Sequence, residues 1–183
     1  MVHDGSYRVF SLGMPATPGL EVLAEGGDNS MLLAEADTAG AFRTETVGGG
    51  VVPPGEQVEL TLQFNDATVA QLNMSLVSML VNTNDAFTAA NSLDLTGLAA
   101  GESLVRRVIA YDAGTEADTE GAGTIPGPAV GGEGFNADRD DDADRVSMHA
   151  GVISAMDGLL DSVLDEQHRF DNPVARIVIT RLN

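Results

Sequence analysis

Cysteine, lysine and tryptophan are all absent from this 183-residue chain, and aromatic side chains make up only 4% of it. Without cysteine there is no disulfide, no thiolate metal ligand and no thiol nucleophile. That absence does not assign a compartment, since exported proteins without disulfides are common. With so few aromatics, the core must be built from Val, Leu, Ile, Met and Ala. No apolar run approaches the roughly 20 residues that a membrane-spanning helix needs, so no transmembrane segment is expected. The N-terminal "MVHDGSYRVF" has no basic region followed by an apolar one, and so no visible signal peptide.

Positive charge is scarce. The 9 basic residues, all Arg, face 28 acidic ones, which gives a net charge of −19. Such a chain repels phosphates instead of releasing their counterions, so nucleic acid is excluded as an expected partner. Cations and cationic surfaces are the complementary partners. A solvated acidic surface suited to salty surroundings accounts for much of the same charge.

Hydrophobic residues make up 43% of the chain, and 21 glycines mark many turns. "VELTLQF" (58–64) alternates apolar and polar side chains, the pattern of a half-buried strand. "LVSMLVN" (76–82) reads as a central strand, "LVRRVIAY" (104–111) and "PVARIVITRL" (173–182) as further strands, and "FRTETV" (42–47) as a weaker one. Two segments read as helices. "NSMLLAEAD" (29–37) follows a capping Asn29 or Ser30, and "ISAMDGLLDSVLDEQ" (153–167) carries an apolar stripe at helical spacing. The expected fold is a mainly β, antiparallel two-sheet sandwich, with strands at 58–64, 76–82, 104–111 and 173–181 and a helix near 153–166. Residues 113–145 form one long acidic, Gly-rich loop within it.

Three groups of residues could carry chemistry. In "AYDAGTEADTE" (110–120) a strand ends at Tyr111, and Asp112, Glu116, Asp118 and Glu120 follow. Hard cations such as Ca²⁺ take six to eight oxygens, and this loop offers several. "NTND" (82–85) ends a neighbouring run, so Asp85 could complete the set. The same residues would equally form Asx turns with the later acids left in solvent. In "ADRDDDADR" (137–145), Asp138, Asp140 and Asp142 match the first ligand positions of a calcium loop. Ala143 and His149 then replace the required Gly and Glu, which favours a flexible acidic loop for the 138–144 cluster. His3, His149 and His168 do not pair at zinc-binding spacings. There is no GxSxG nucleophile motif, and "GGG" (48–50) does not continue into a phosphate-binding loop.

"SMLVNTNDAFTAANSLDL" (78–95), "AYDAGTEADTE", "IPGP" (125–128), "GEGF" (132–135) and "NPVARIVI" (172–179) occur in that order. Together with "DGSYRVFSLGMPATPGLEVLAEGGDNSMLLAE" (4–35), they resemble the spondin N-terminal domain, most closely its bacterial single-domain members. The resemblance covers almost the whole chain as one domain, 1–183. It implies a β-sandwich similar to the calcium-binding sandwiches of the synaptotagmin type. It also implies an extracellular, periplasmic or envelope location and a non-enzymatic role in adhesion to matrix or cell-surface ligands. By motif, it assigns a calcium site to Asp85 and Asp112, with Glu116 as the acid that follows "DAGT". The family usually has a further strand before "HDGSY", a signal sequence before that, and a His-rich strand where this chain keeps only His149. A first strand is therefore expected to be missing. The alternatives are a metal-dependent hydrolase using His149, His168 and nearby acids, and a salt-adapted structural domain with no site.

Overall fold

A computed structural model of the chain describes residues 1–41, 43–44, 50–64, 70–139 and 144–183. Its strands are β1 (Val2–His3), β2 (Asn73–Met79), β3 (Ala86–Asp94), β4 (Ser103–Val108), β5 (Ala110–Asp112), β6 (Ser147–Met148) and β7 (Ala175–Thr180). Two α-helices, α1 (Pro18–Gly26) and α2 (Ser30–Thr38), lie between β1 and β2. The strands form two antiparallel sheets, one of five strands in the order β1-β2-β3-β5-β6 and one made of β4 and β7. The mainly β, two-sheet architecture expected from the sequence is therefore present. No helix among the described residues is long and apolar enough to cross a membrane.

Side-chain alternation along the central strands divides the interior in two. Phe87 and Ala89 of β3 pack with Leu20, Leu23 and Ala24 of α1 and with Leu32 and Ala36 of α2. The helices thereby cover part of the large sheet. Phe87 is fully buried between Phe10 and Tyr111, with ring centroids 5.3 and 5.5 Å away. Beyond Ser92, whose φ is +61°, Leu93 and Leu95 join Val2, Leu72, Leu104 of β4 and Ile179 of β7 in a second cluster between the sheets. A third, smaller cluster of Ile125, Val152 and Leu164 supports the long loop after β5.

α1 begins where Thr17 accepts a hydrogen bond from the Leu20 amide, has Pro18 at its first position, and ends at Gly27 with φ +77°. Glu35 of α2 accepts the Gly19 amide at 2.7 Å and the Thr17 hydroxyl at 2.6 Å, so the second helix secures the start of the first. α2 matches the segment expected at 29–37. The run expected as one strand at 104–111 is divided: β4 pairs with β7, and after Ile109 the chain crosses to the larger sheet as β5. β7 fulfils the expectation at 173–181, and β2 replaces the strand expected at 76–82 with one that starts earlier, at Asn73, and ends at Met79.

Two expected elements do not form. Residues 58–64 make no ladder with any described strand. Leu62 and Phe64 lean on the inter-sheet cluster, while Val58 and Leu60 are exposed. Alternation there reflects which side chains touch the core, and a ladder partner is a separate requirement. The helix near 153–166 is replaced by two single 3₁₀ turns, Ala155–Asp157 and Glu166–His168. Gly158, with φ +105°, ends the first turn, and Met156 and Leu160 are 86% and 84% exposed. A short amphipathic helix depends on a surface that buries its stripe, and of this stripe only Leu164 is buried. Of the candidate at 42–47, Phe42 and 45–47 lie outside the described residues; Arg43 forms a single bridge to Val2.

His3 is buried in β1, its Nε2 3.0 Å from the Ser75 hydroxyl. Burial lowers its pKa from 6.5; the Met1 ammonium and Arg8 add to the effect and Asp4 opposes it. Below pH 6.5 the unfolded chain binds this proton more readily than the folded one, so the stability that neutral His3 contributes is present above that pH and lost below it. His3→Gln is expected to reduce the loss of melting temperature between pH 7 and pH 5 relative to wild type. Parallel melts that show equal losses would remove His3 from the account.

Candidate metal centre

The "NTND" turn joins β2 to β3 at one rim of the larger sheet, and each of its residues has a partner elsewhere. Thr83 closes the turn, donating to Leu80 O at 2.5 Å and accepting the Ala86 amide at 3.2 Å. Asn82, with φ +66°, accepts the Ala129 amide at 2.9 Å. A Cβ on Gly127 would lie 2.1 Å from Asn82 Oδ1 and 2.5 Å from its backbone nitrogen, so only glycine permits this approach. Asn84 donates to the Thr124 hydroxyl at 2.5 Å; its buried Oδ1 accepts no hydrogen bond among the described residues. The turn therefore secures the long loop at three points, the third being Asp85.

Strand register brings Asp85 and Asp112 together. Ala86 pairs with Asp112, so the residue before β3 meets the residue that ends β5, and the Ala113 amide donates to Asp85 O at 3.3 Å. Asp85 is fully buried. Its Oδ2 accepts the Thr115 amide at 2.7 Å, the Glu116 amide at 3.1 Å and the Thr115 hydroxyl at 3.3 Å. Asp112 Oδ1 accepts the Gly114 amide at 2.6 Å, the Asx turn foreseen from its sequence. Asp118, on the following loop, completes a group of three. One carboxylate oxygen from each of Asp85, Asp112 and Asp118 lies within 4.8 Å of the others.

Of the expected trio, Asp85 and Asp112 converge, and Glu116 turns elsewhere. Its carboxylate is buried against the Arg139 guanidinium. Arg139 also approaches Glu25 Oε2 at 4.0 Å and Glu133 Oε2 at 3.5 Å and donates to Gly134 O at 3.1 Å. Glu25 is fully buried, and burial raises its pKa against the opposing pull of the Thr115 hydroxyl, the Asn136 amide and Arg139. Glu120 is also buried, and burial pushes its carboxyl up to about 7. Asp118 was visible in the sequence as one of three alternating acids. Spacing alone did not show which of them would face Asp85.

His149 enters the rim through β6, with its Nε2 3.8 Å from Asp118 Oδ1. Its Nδ1 accepts the Gly151 amide at 2.9 Å, so in the neutral ring the proton is on Nε2. Burial keeps the ring's pKa below 6.5, against the pull of Asp85. Neutral His149 thus turns an N–H and no lone pair toward the cluster, at a distance from Asp118 Oδ1 longer than a hydrogen bond. His168 sits on a 3₁₀ turn, where its Nδ1 is 2.9 Å from Asp165 Oδ1. The three-carboxylate group contains no imidazole. In the 138–144 cluster, residues 140–143 lie outside the described residues.

Unit charges 4.8 Å apart repel by about 1–3 kcal/mol per pair over effective dielectric constants between those of water and a protein surface (~20). Three ionised carboxylates at this spacing therefore favour either proton uptake or a cation between them. A comparison with protein-family models gives no match, and neither does a comparison with curated proteins.

Proposed function

We propose that this rim binds a calcium ion and that the chain is a non-enzymatic, calcium-dependent binding module of the cell exterior or envelope. The observation that carries the reading is the convergence of Asp85, Asp112 and Asp118. An all-oxygen donor set suits a hard cation, and the backbone carbonyls of the same loops are further oxygens of the kind calcium takes. The loop amides on Asp85 Oδ2 fix its carboxylate at the rim. Zinc hydrolysis is disfavoured by the proton that neutral His149 carries on Nε2. The resemblance to the spondin N-terminal domain supports calcium, and it alone supports an adhesive role toward matrix or cell-surface ligands.

Calcium modules outside the cell commonly bind with Kd of about 10⁻⁴–10⁻³ M. At about ten to a hundred times Kd, binding to the folded chain alone adds about 1.4–2.7 kcal/mol. That corresponds to a rise in melting temperature of roughly 3–10 °C for a domain of this size. Magnesium, which keeps its waters and demands a tighter octahedron, is expected to do less. Asp112→Asn retains an oxygen for the Gly114 amide and removes one charge, so it should lose most of the calcium shift with little change in EDTA. Melts in EDTA and in calcium test this. No shift in wild type, or an equal shift in the variant, sinks the reading.

A further inference from the structure

Beside the Asp85 cluster lies a second convergence of acids with a cation already in it. Glu25, from the end of α1, and Glu116, from the β5 loop, are 0% and 1% exposed. Both carboxylates approach one atom, Nη2 of Arg139: Glu116 through Oε1 and Glu25 through Oε2 at 4.0 Å. The guanidinium is an imperfect guest. Its Nε is buried and finds no acceptor among the described residues. Glu25 Oε1 and Glu116 Oε2 are also buried, and neither accepts a hydrogen bond among the described residues. An unmade buried polar contact costs about 1–3 kcal/mol, more for a charged group. A planar fork donates in fixed directions and leaves these oxygens unused. A spherical cation that takes six to eight oxygens would engage them.

We propose that Glu25 and Glu116 form a second divalent-cation site, whose place is taken in this structure by the guanidinium of Arg139. The inference rests on the calcium reading above for the identity of the ion. The surroundings suit an exchange of one cation for the other. A cavity of about 190 Å³, lined by Glu21, Thr115, Arg139 and Asp144 among others, opens beside the guanidinium. It gives water access to complete an ion's shell and gives the Arg139 side chain, already 13% exposed, a way out. Thr115, whose hydroxyl reaches Asp85 at 3.3 Å, is one of the residues that line this cavity. The Glu116 amide donates to Asp85 Oδ2 while its carboxylate faces Arg139, so one residue belongs to both places. Arg139 then acts as a built-in competitor that keeps the second site closed at low calcium.

The test counts calcium ions bound per chain by equilibrium dialysis at about 1 mM calcium, where Arg139 still holds the second site of the wild type closed. The chains compared are wild type, Arg139→Gln and Arg139→Gln/Glu116→Gln. Arg139→Gln is expected to bind one ion more than wild type, and the double variant to lose that gain. An unchanged count in Arg139→Gln overturns the proposal, as does a gain that survives Glu116→Gln. The two readings fail separately. If wild type binds no ion and Arg139→Gln binds one, the second site stands and the Asp85 site falls. If both bind one, the second site falls alone. Should Arg139→Gln fail to fold, phenylglyoxal labelling of wild type decides. Calcium must speed modification of Arg139, mapped by mass spectrometry, and an unchanged rate overturns the proposal.

Discussion

Asp85→Ala is expected to lower stability by about 2–4 kcal/mol and to abolish the calcium response. The side chain is fully buried and its Oδ2 takes two backbone amides and a hydroxyl. Removing it strands the Thr115 and Glu116 amides, at about 1–3 kcal/mol each. Relief of repulsion from Asp112 and Asp118 offsets part of that cost. At roughly 2–4 °C per kcal/mol, the melting temperature in EDTA should fall by about 4–16 °C. Asp85→Asn separates the two roles: its amide oxygen can still accept from the loop, so it should keep most of the stability while losing the calcium shift. A calcium shift of wild-type size in Asp85→Ala would place the ion elsewhere.

Phe87→Ala, only two residues further on, is expected to have the opposite signature. Phe87 has no exposed surface and fills the space between Phe10 and Tyr111, where the helices meet the large sheet. Removing a buried Phe costs about 3–5 kcal/mol, from lost transfer energy and the cavity left behind. The melting temperature should drop by about 6–20 °C. The carboxylates of the rim are untouched, so the calcium shift should persist in those melts. A core lesion that also removed the calcium shift would mean that rim and core do not hold their shapes independently.

These two residues also mark what the sequence made legible. Asp85 and Asp112 were readable because strand ends are where loops gather, and register Ala86 to Asp112 made neighbours of them. Asp118 was readable as an acid and not as the right one, since the turn that aims it is set by the packing of a long loop. Arg139 carried no local signal at all; its role depends on Glu25 and Glu116, which are distant in the chain. The two ends of α1 are written in Thr17, Pro18 and Gly27, but the helix between them is too short for its periodicity to stand out. The stripe at 153–167 was a true helical pattern that the fold buries only at Leu164. At 58–64 the alternation was also genuine, and half of it touches the core.

The crossing at Ile109 has a consequence for how such a chain can change over time. Val108 is in register with Ala175 in one sheet, and Ala110 with Thr88 in the other. The unbroken run Ser103–Asp112 therefore acts as a ruler held at both ends. Insertion or deletion of one residue within it would shift one ladder by a position and turn its side chains to the wrong face. Asp112 would move off the rim with them. The loop 113–139 is joined to the rest at separate points and can absorb added length between them. Divergence in length belongs in that loop, and the spacing from Ser103 to Asp112 is the part of the chain that cannot drift.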